Sequence, residues 1–292
     1  MMLRTPIALA LLAALCLPAG ADTLKKVADS GRITLAYRES SVPFSYIAGA
    51  GKPVGFSVDV ANAIVQEVKR RSGKVLEVEY VPVTSQNRIP LLVNGTVDLE
   101  CGSTTNNTSR GKDVAFAINH FYTGTRLLAK KSSKVKNYAD LAGKPVASTT
   151  GTTNAQVMRK YNVEKGLNMQ MILGKDHADA MLLVDADRAV AFAMDDILLF
   201  GLMATAKNPA DWEVVGDSLQ VEPYACMLRK DDPKFKALVD GVIGEMMKSG
   251  EFEKLYAKWF TAPIPPNNIN LNLPMAPQLR ENLKARSDKP AV

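Results

Sequence analysis

Residues 32–81 read "RITLAYRESSVPFSYIAGAGKPVGFSVDVANAIVQEVKRRSGKVLEVEYV". The hexapeptide "RITLAY" alternates apolar and polar residues with the period of a half-buried strand. In "PVGFSVDVANAIVQEVKRR", Val58, Ala61, Ile64, Val65 and Val68 recur on one face of a helix. "VLEVEYV" returns to the strand period. Strand, helix and strand in succession predict a mostly parallel sheet covered by helices. Downstream, "NRIPLLVNG" predicts a short helix stopped by Asn94 and Gly95, and "TVDLECGS" a further strand. Ligand sites in such sheets lie beyond the carboxyl ends of the strands. Arg38 stands there after the first strand, and Ser103 after the third.

A second α/β unit begins near residue 125. "RLLAKK" reads as a strand, "NYADLAGKPVAST" as a helical turn and a strand, and "TTGTTNAQVMRKY" as a helix entered from a Gly and Thr turn. "NMQMILG", "KDHADAMLLVDAD", "RAVAFAMD" and "ILLFGLMATA" follow as strand, helix, strand and helix. "WEVVG" and "YACMLRKDD" read as strands, and "PKFKALVDGVIGEMMKSG" with "EFEKLYAKWF" as two amphipathic helices. "PIPPNNINLNLPMAP" is too rich in Pro and Asn for a helix and leads to a short polar end.

The chain of 292 residues suits two ordinary domains or one large one, and 47% apolar with 23% charged residues marks it as globular. Arg4, the apolar run "PIALALLAALCLPAG" and the small residues Ala19, Gly20 and Ala21 form a signal peptide with cleavage expected after Ala21. Cys16 leaves with it, and Cys101 and Cys226 remain. An even pair in an exported protein suggests a disulfide, with two buried thiols as the alternative. The net charge of +6 comes without any long run of Lys and Arg, which argues against nucleic acid as a partner.

Several chemistries lack their residues. "GAGKPVG" at 49–55 does not join a strand directly to a helix as a dinucleotide loop does, and reads as a hairpin turn. With two histidines, His120 and His177, no metal-ligand spacing is present. "ECGSTTNNTSR" at 100–110 gathers hydroxyls, amides and Arg110 after an apolar strand, donors that suit a carboxylate. "STTGTTN" at 148–154 repeats the theme at a helix start in the second unit. "FAMDD" ends a strand with two aspartates; Asp196 as the next helix's cap leaves Asp195 to face a cation. Taken alone, His177 in "GKDHADA" is of the kind usually found at a surface or a helix cap.

Taken in order, "YRESSVPFSY", "TSQNRIPLL", "ECGSTTNN", "GTRLLAKK", "TGTT", "KDH", "RAVAFAMDD", "YACMLRKDDP" and "WFTAPIPPNN" resemble the periplasmic glutamate/aspartate-binding proteins of ABC amino-acid importers, members of solute-binding protein family 3. The likeness runs through nearly all of the chain after the signal peptide. It implies a type II periplasmic binding-protein fold, two α/β lobes joined by two crossover strands near residues 123–128 and 218–225. The signal peptide would be 1–21, the first lobe 22–124 with 221–292, and the second 125–220. By the same resemblance, Arg110 with the Thr105 and Thr153 region would hold an α-carboxylate, Asp195 the α-ammonium, and Ser103 would belong to the same shell. Arg38, Ser85, Arg88 and His177 would surround a side-chain carboxylate. Tyr37 stands where the family usually has His, and Thr108 and Ser109 where charged residues are common.

The resemblance thus implies a monomeric periplasmic receptor without cofactor or metal, which captures L-glutamate or L-aspartate by lobe closure and hands it to a membrane permease. No chemistry is expected of it. The alternatives are an exported enzyme on the same fold, such as a cyclohexadienyl dehydratase, with His177 as its titrating group, and a binding protein that docks to a chemoreceptor.

Overall fold

A computed structural model describes residues 21–49 and 51–292, so the signal-peptide expectation lies outside the described residues. The helices in chain order are α1 (Thr23–Ser30), α2 (Phe56–Ser72), α3 (Arg88–Val93), α4 (Thr153–Lys165), α5 (His177–Asp185), α6 (Asp196–Thr205), α7 (Pro233–Ser249), α8 (Glu251–Phe260) and α9 (Pro277–Ala285). None is long and apolar enough to cross a membrane.

Two five-stranded sheets carry the molecule. The first has the order Glu77–Pro82, Arg32–Tyr37, Leu99–Glu100, Met227–Arg229, Val114–Phe116. Its first three strands run parallel, with Arg32 opposite Glu77 and Leu35 opposite Leu99. The second has the order Gln170–Gly174, Pro145–Thr149, Ala191–Asp195, Thr125–Lys130, Trp212–Val215, again parallel over the first three. All five apolar residues assigned to one face of α2 are buried, and Ala61, Ile64, Val65 and Val68 join the main hydrophobic core. Ser45–Ile47 and Pro53–Val54 pair antiparallel, as a hairpin requires.

Between the sheets, Phe121–Thr123 and Glu222–Tyr224 pair antiparallel as a two-stranded ribbon. It is the crossover of a type II periplasmic binding-protein fold, two α/β lobes joined by two strands. Its aromatic residues rest on the first lobe: Phe121 stacks on Phe260 at 5.1 Å between ring centres, and Tyr224 meets Phe44 edge-on at 5.2 Å. A disulfide joins Cys101 to Cys226 at the foot of the ribbon, with Cα atoms 4.3 Å apart and 125 residues of separation.

Four details differ from the sequence expectation. The first crossover, expected near 123–128, is Phe121–Thr123, and Thr125–Lys130 already belongs to the second sheet. "YACMLRKDD" is not one strand: Tyr224 ends the ribbon, while Met227–Arg229 joins the first sheet, and the chain changes sheets at Ala225 and Cys226. The strand expected across "TVDLECGS" is confined to Leu99–Glu100, because the residues after it turn into the cleft. The polar end contains α9, which buries Leu279 and Asn282; Asn282 Nδ2 donates to the Asn119 carbonyl at 2.7 Å.

Candidate functional site

The carboxyl ends of both sheets face each other across the ribbon, and the charged residues collect there. Arg38 follows the strand Arg32–Tyr37 directly and is 1% exposed. Its backbone N–H donates to Ser45 Oγ at 2.8 Å, and its Nη2 donates to Ser85 Oγ at 3.0 Å and stands 3.3 Å from His177 Nε2. Nη1 reaches Ser103 Oγ at 3.5 Å. Arg88, the first residue of α3, is also buried; its Nη1 donates to the Ser103 carbonyl at 3.1 Å and to Thr104 Oγ1 at 2.5 Å. Thr104 in turn donates to Glu100 Oε2 at 2.6 Å, so a buried carboxylate stands behind the two guanidiniums.

Removal from water and the charge of Arg88 bring the Arg38 guanidinium down to about 9, and the same two causes bring Arg110 down to about 10. Burial also lowers Arg88. Glu100 favours the charged form of all three, yet the lowering persists. Three cations short of counter-charge make a site that gains by admitting an anion.

The opposite wall is acidic. Asp195 ends the strand Ala191–Asp195 and is 3% exposed. Its Oδ1 accepts from Asn154 Nδ2 at 2.8 Å, and its Oδ2 accepts from the Tyr224 hydroxyl. Burial, with the Glu222 charge added, holds the Asp195 carboxyl well above the usual range, which marks a place where a cation is missing. Asp196 is not the cap of α6. Asp195 occupies the cap position without a side-chain cap bond, while Asp196 Oδ1 accepts from Thr123 Oγ1 at 2.6 Å and so ties the helix to the ribbon.

His177 is neither a surface nor a capping residue. Asp176 caps α5, and His177 is buried with Nδ1 3.0 Å from Thr149 Oγ1 and Nε2 beside Arg38. Burial and the Arg38 and Arg88 charges push its pKa well below the ordinary value, so the ring is neutral.

Contacts close the space between the lobes. Arg110 Nη1 donates to the Thr105 carbonyl at 2.9 Å in its own lobe, and Nη2 to the Gly151 carbonyl at 3.3 Å in the other. Gly151 has φ +77°, and a Cβ there would lie 2.7 Å from Gln86 Cα, so only glycine admits this approach. Thr105 Oγ1 lies 3.4 Å from Thr153 Oγ1, and both hydroxyls donate to Glu222 Oε2.

The structure therefore places Arg38, Ser85, Arg88, Ser103 and His177 in one contact network, and Arg110, Thr105 and Thr153 in a second. Asp195 is held by Asn154 and Tyr224. Glu100, Thr104, Asn154, Glu222 and Tyr224 are cleft residues that reading the sequence did not single out. The signal for Glu100 was available: an acidic residue at the end of an apolar strand, two before Gly102. Glu222 had only its place beside Pro223 in the crossover.

The profile of the bacterial extracellular solute-binding proteins, family 3, matches residues 33–262. The chain is 50% identical over 273 residues, 93% of it and 90% of the relative, to the glutamate/aspartate import solute-binding protein of Escherichia coli K12. It is 47% identical over 296 residues, 99% of it and 97% of the relative, to the L-glutamate/L-aspartate-binding protein of Pseudomonas aeruginosa. Among solved structures, it is similar to the ancestral amino-acid-binding protein AncCDT-1, a precursor of cyclohexadienyl dehydratase, with a TM-score of 0.71, 28% identity, and coverage of 82% of this chain and 100% of that one.

Proposed function

Since the chain belongs to the bacterial extracellular solute-binding proteins, family 3, we propose that it captures L-glutamate or L-aspartate between its lobes and delivers it to the permease of an ABC importer. The observation that carries this reading is the charge layout of the cleft: three guanidiniums depleted of counter-charge opposite one carboxylate that lacks a cation. An acidic amino acid has two carboxylates and one ammonium, and it complements both deficits at once.

In this reading Arg38, Arg88, Ser85 and His177 surround the side-chain carboxylate, with Ser103 orienting both arginines. Arg110, beside Thr105 and Thr153, takes the α-carboxylate, and Asp195 takes the α-ammonium. A neutral His177 suits the role, because its ring offers a hydrogen bond without adding a fourth positive charge. The ligand touches residues of both lobes, so it binds the closed form better than the open one and shifts the population toward it. The lobes are then 22–124 with 221–292, and 125–220, hinged at the ribbon. The mature chain starts at Asp22 in the periplasm, works as a monomer and does no chemistry.

Calorimetry with a panel of amino acids and prephenate, assayed in parallel for turnover, tests the proposal. Tight binding of L-glutamate or L-aspartate and much weaker binding of neutral or basic amino acids is the expected result. Turnover of prephenate, or binding confined to neutral amino acids, overturns it.

A further inference from the structure

Glu222 sits on the ribbon, outside both sheets, and is fully buried. Three donors converge on it. Thr105 Oγ1 from the first lobe and Thr153 Oγ1 from the second, the latter at 2.6 Å, both donate to Oε2, and Gln220 Nε2 donates to Oε1. A hydroxyl has one hydrogen to give and two lone pairs with which to accept. With both hydrogens committed to Glu222, neither threonine has one left for the other across their 3.4 Å separation. Neither has one left for the cleft.

We propose that Glu222 is a specificity-determining positioning residue: by taking the hydrogens of Thr105 and Thr153 it turns both hydroxyls into acceptors and so selects a ligand with an α-ammonium. This rests on the amino-acid reading above and refines it, moving the two threonine side chains from the carboxylate end of the ligand to the ammonium end. An ammonium has three N–H groups, and Asp195 with two hydroxyl oxygens matches that number. A carboxylate in the same place would meet lone pairs from both threonines and the charges of Asp195 and Glu222. Arg110 is untouched by this polarity, since it donates to the backbone carbonyls of Thr105 and Gly151 and its remaining N–H groups are free for the α-carboxylate.

Glu222→Met keeps much of the volume and removes both acceptor oxygens. Neither threonine hydrogen then has its acceptor on the ribbon, and both hydroxyls are released to turn toward the cleft. Calorimetry at fixed pH and salt would compare L-glutamate with glutarate, which has the same two carboxylates and no ammonium. In the variant, glutamate should weaken by about ten- to a hundredfold, the worth of one charge-assisted hydrogen bond, while glutarate changes by less than about threefold. Equal weakening of both ligands would show that Glu222 only supports the hinge, and an unchanged affinity for glutamate would show that it does nothing here; either result overturns the proposal. Should Glu222→Met fail to fold, Thr153→Val removes one acceptor directly, and the same selective loss is expected, with equal losses again counting against it. If the wild-type protein binds no glutamate, the ligand reading itself fails. The role of Glu222 is then decided by the same ratio, measured for whichever amino acid of the panel binds and its deaminated analogue.

Discussion

Arg38 answers to two lobes at once, and its replacement separates the ends of the ligand. In the proposed binding mode, Arg38→Met removes a cation that faces the side-chain carboxylate and leaves Arg110 and Asp195 in place. Leaving one member of a buried ion pair alone costs about 3–5 kcal/mol, or roughly two to four decades in Kd. L-Glutamate should lose that much by calorimetry and L-glutamine far less, whereas Asp195→Asn should harm both, because both present the same ammonium. Equal losses on Arg38→Met would assign that arginine to holding the lobe. His120 supplies a second test, in stability. It is fully buried with Nε2 3.3 Å from Ser57 Oγ, and burial pushes its pKa down to about 4. The folded value lies below the unfolded one of 6.5, so the stabilisation is whole above pH 6.5 and is lost as the pH falls toward about 4, where the unfolded chain takes up the proton. The loss from His120 amounts to about 3 kcal/mol over the full window. His177 has the same sign, and Asp195, with its raised value, the opposite one. Urea midpoints at pH 7 and pH 5 should therefore differ less in His120→Gln than in the wild type. Arg38 and Asp195 could be noticed in the sequence because charged residues at strand ends are uncommon, and Arg110 because it closes the polar run "ECGSTTNNTSR". Glu222 could not be read, because a lone glutamate looks solvated until tertiary packing buries it, and Glu100 had only its place at a strand end.

Helix α6 carries a glycine in mid-helix, where alanine would favour the helix by about 1 kcal/mol. At Gly201, however, a Cβ would lie 2.3 Å from the Val42 carbonyl oxygen and 2.9 Å from its carbon, both in the other lobe. Gly201→Ala should thus leave the thermal midpoint of the empty protein unchanged or slightly raised and weaken L-glutamate by about tenfold or more, through obstructed closure. A lowered midpoint with affinity intact would put the Val42 contact in the static core instead. The elements themselves were largely legible: α2 buries the stripe its spacing indicates, and both parallel triplets follow from alternating strands and helices. Two kinds of element escaped. α9 is mostly polar because it covers the first lobe with little more than Leu279 and Asn282, too few apolar positions for a periodic signal. The division of "YACMLRKDD" between ribbon and sheet escaped because each half keeps the strand period, and only the partners differ.

The second sheet is an excursion from the first: the chain leaves through the ribbon strand Phe121–Thr123 and returns through Glu222–Tyr224, and the Cys101–Cys226 disulfide closes a loop that contains the whole excursion. Chain entropy for a closed loop of this length gives about 4–5 kcal/mol. Replacing both cysteines by serine should lower the unfolding free energy by that order in urea titrations, and a loss under about 1 kcal/mol would mean that the reduced chain keeps the loop closed by other contacts. The discontinuous first lobe was not readable from periodicity, because nothing local in Tyr224–Arg229 says that the chain has come back; the resemblance to a known family supplied it. The closed arrangement bears on timing as well as affinity. Arg38 and His177 are each 1% exposed and Asp195 is 3% exposed, so in the proposed binding mode a ligand held among them is shielded from the solvent while the lobes touch. Its escape is then a first-order event whose rate is the opening rate of the ribbon, indifferent to how much competitor waits outside. Residence time belongs to the hinge, and a transporter that needs rapid unloading must speed that opening by pulling the lobes apart.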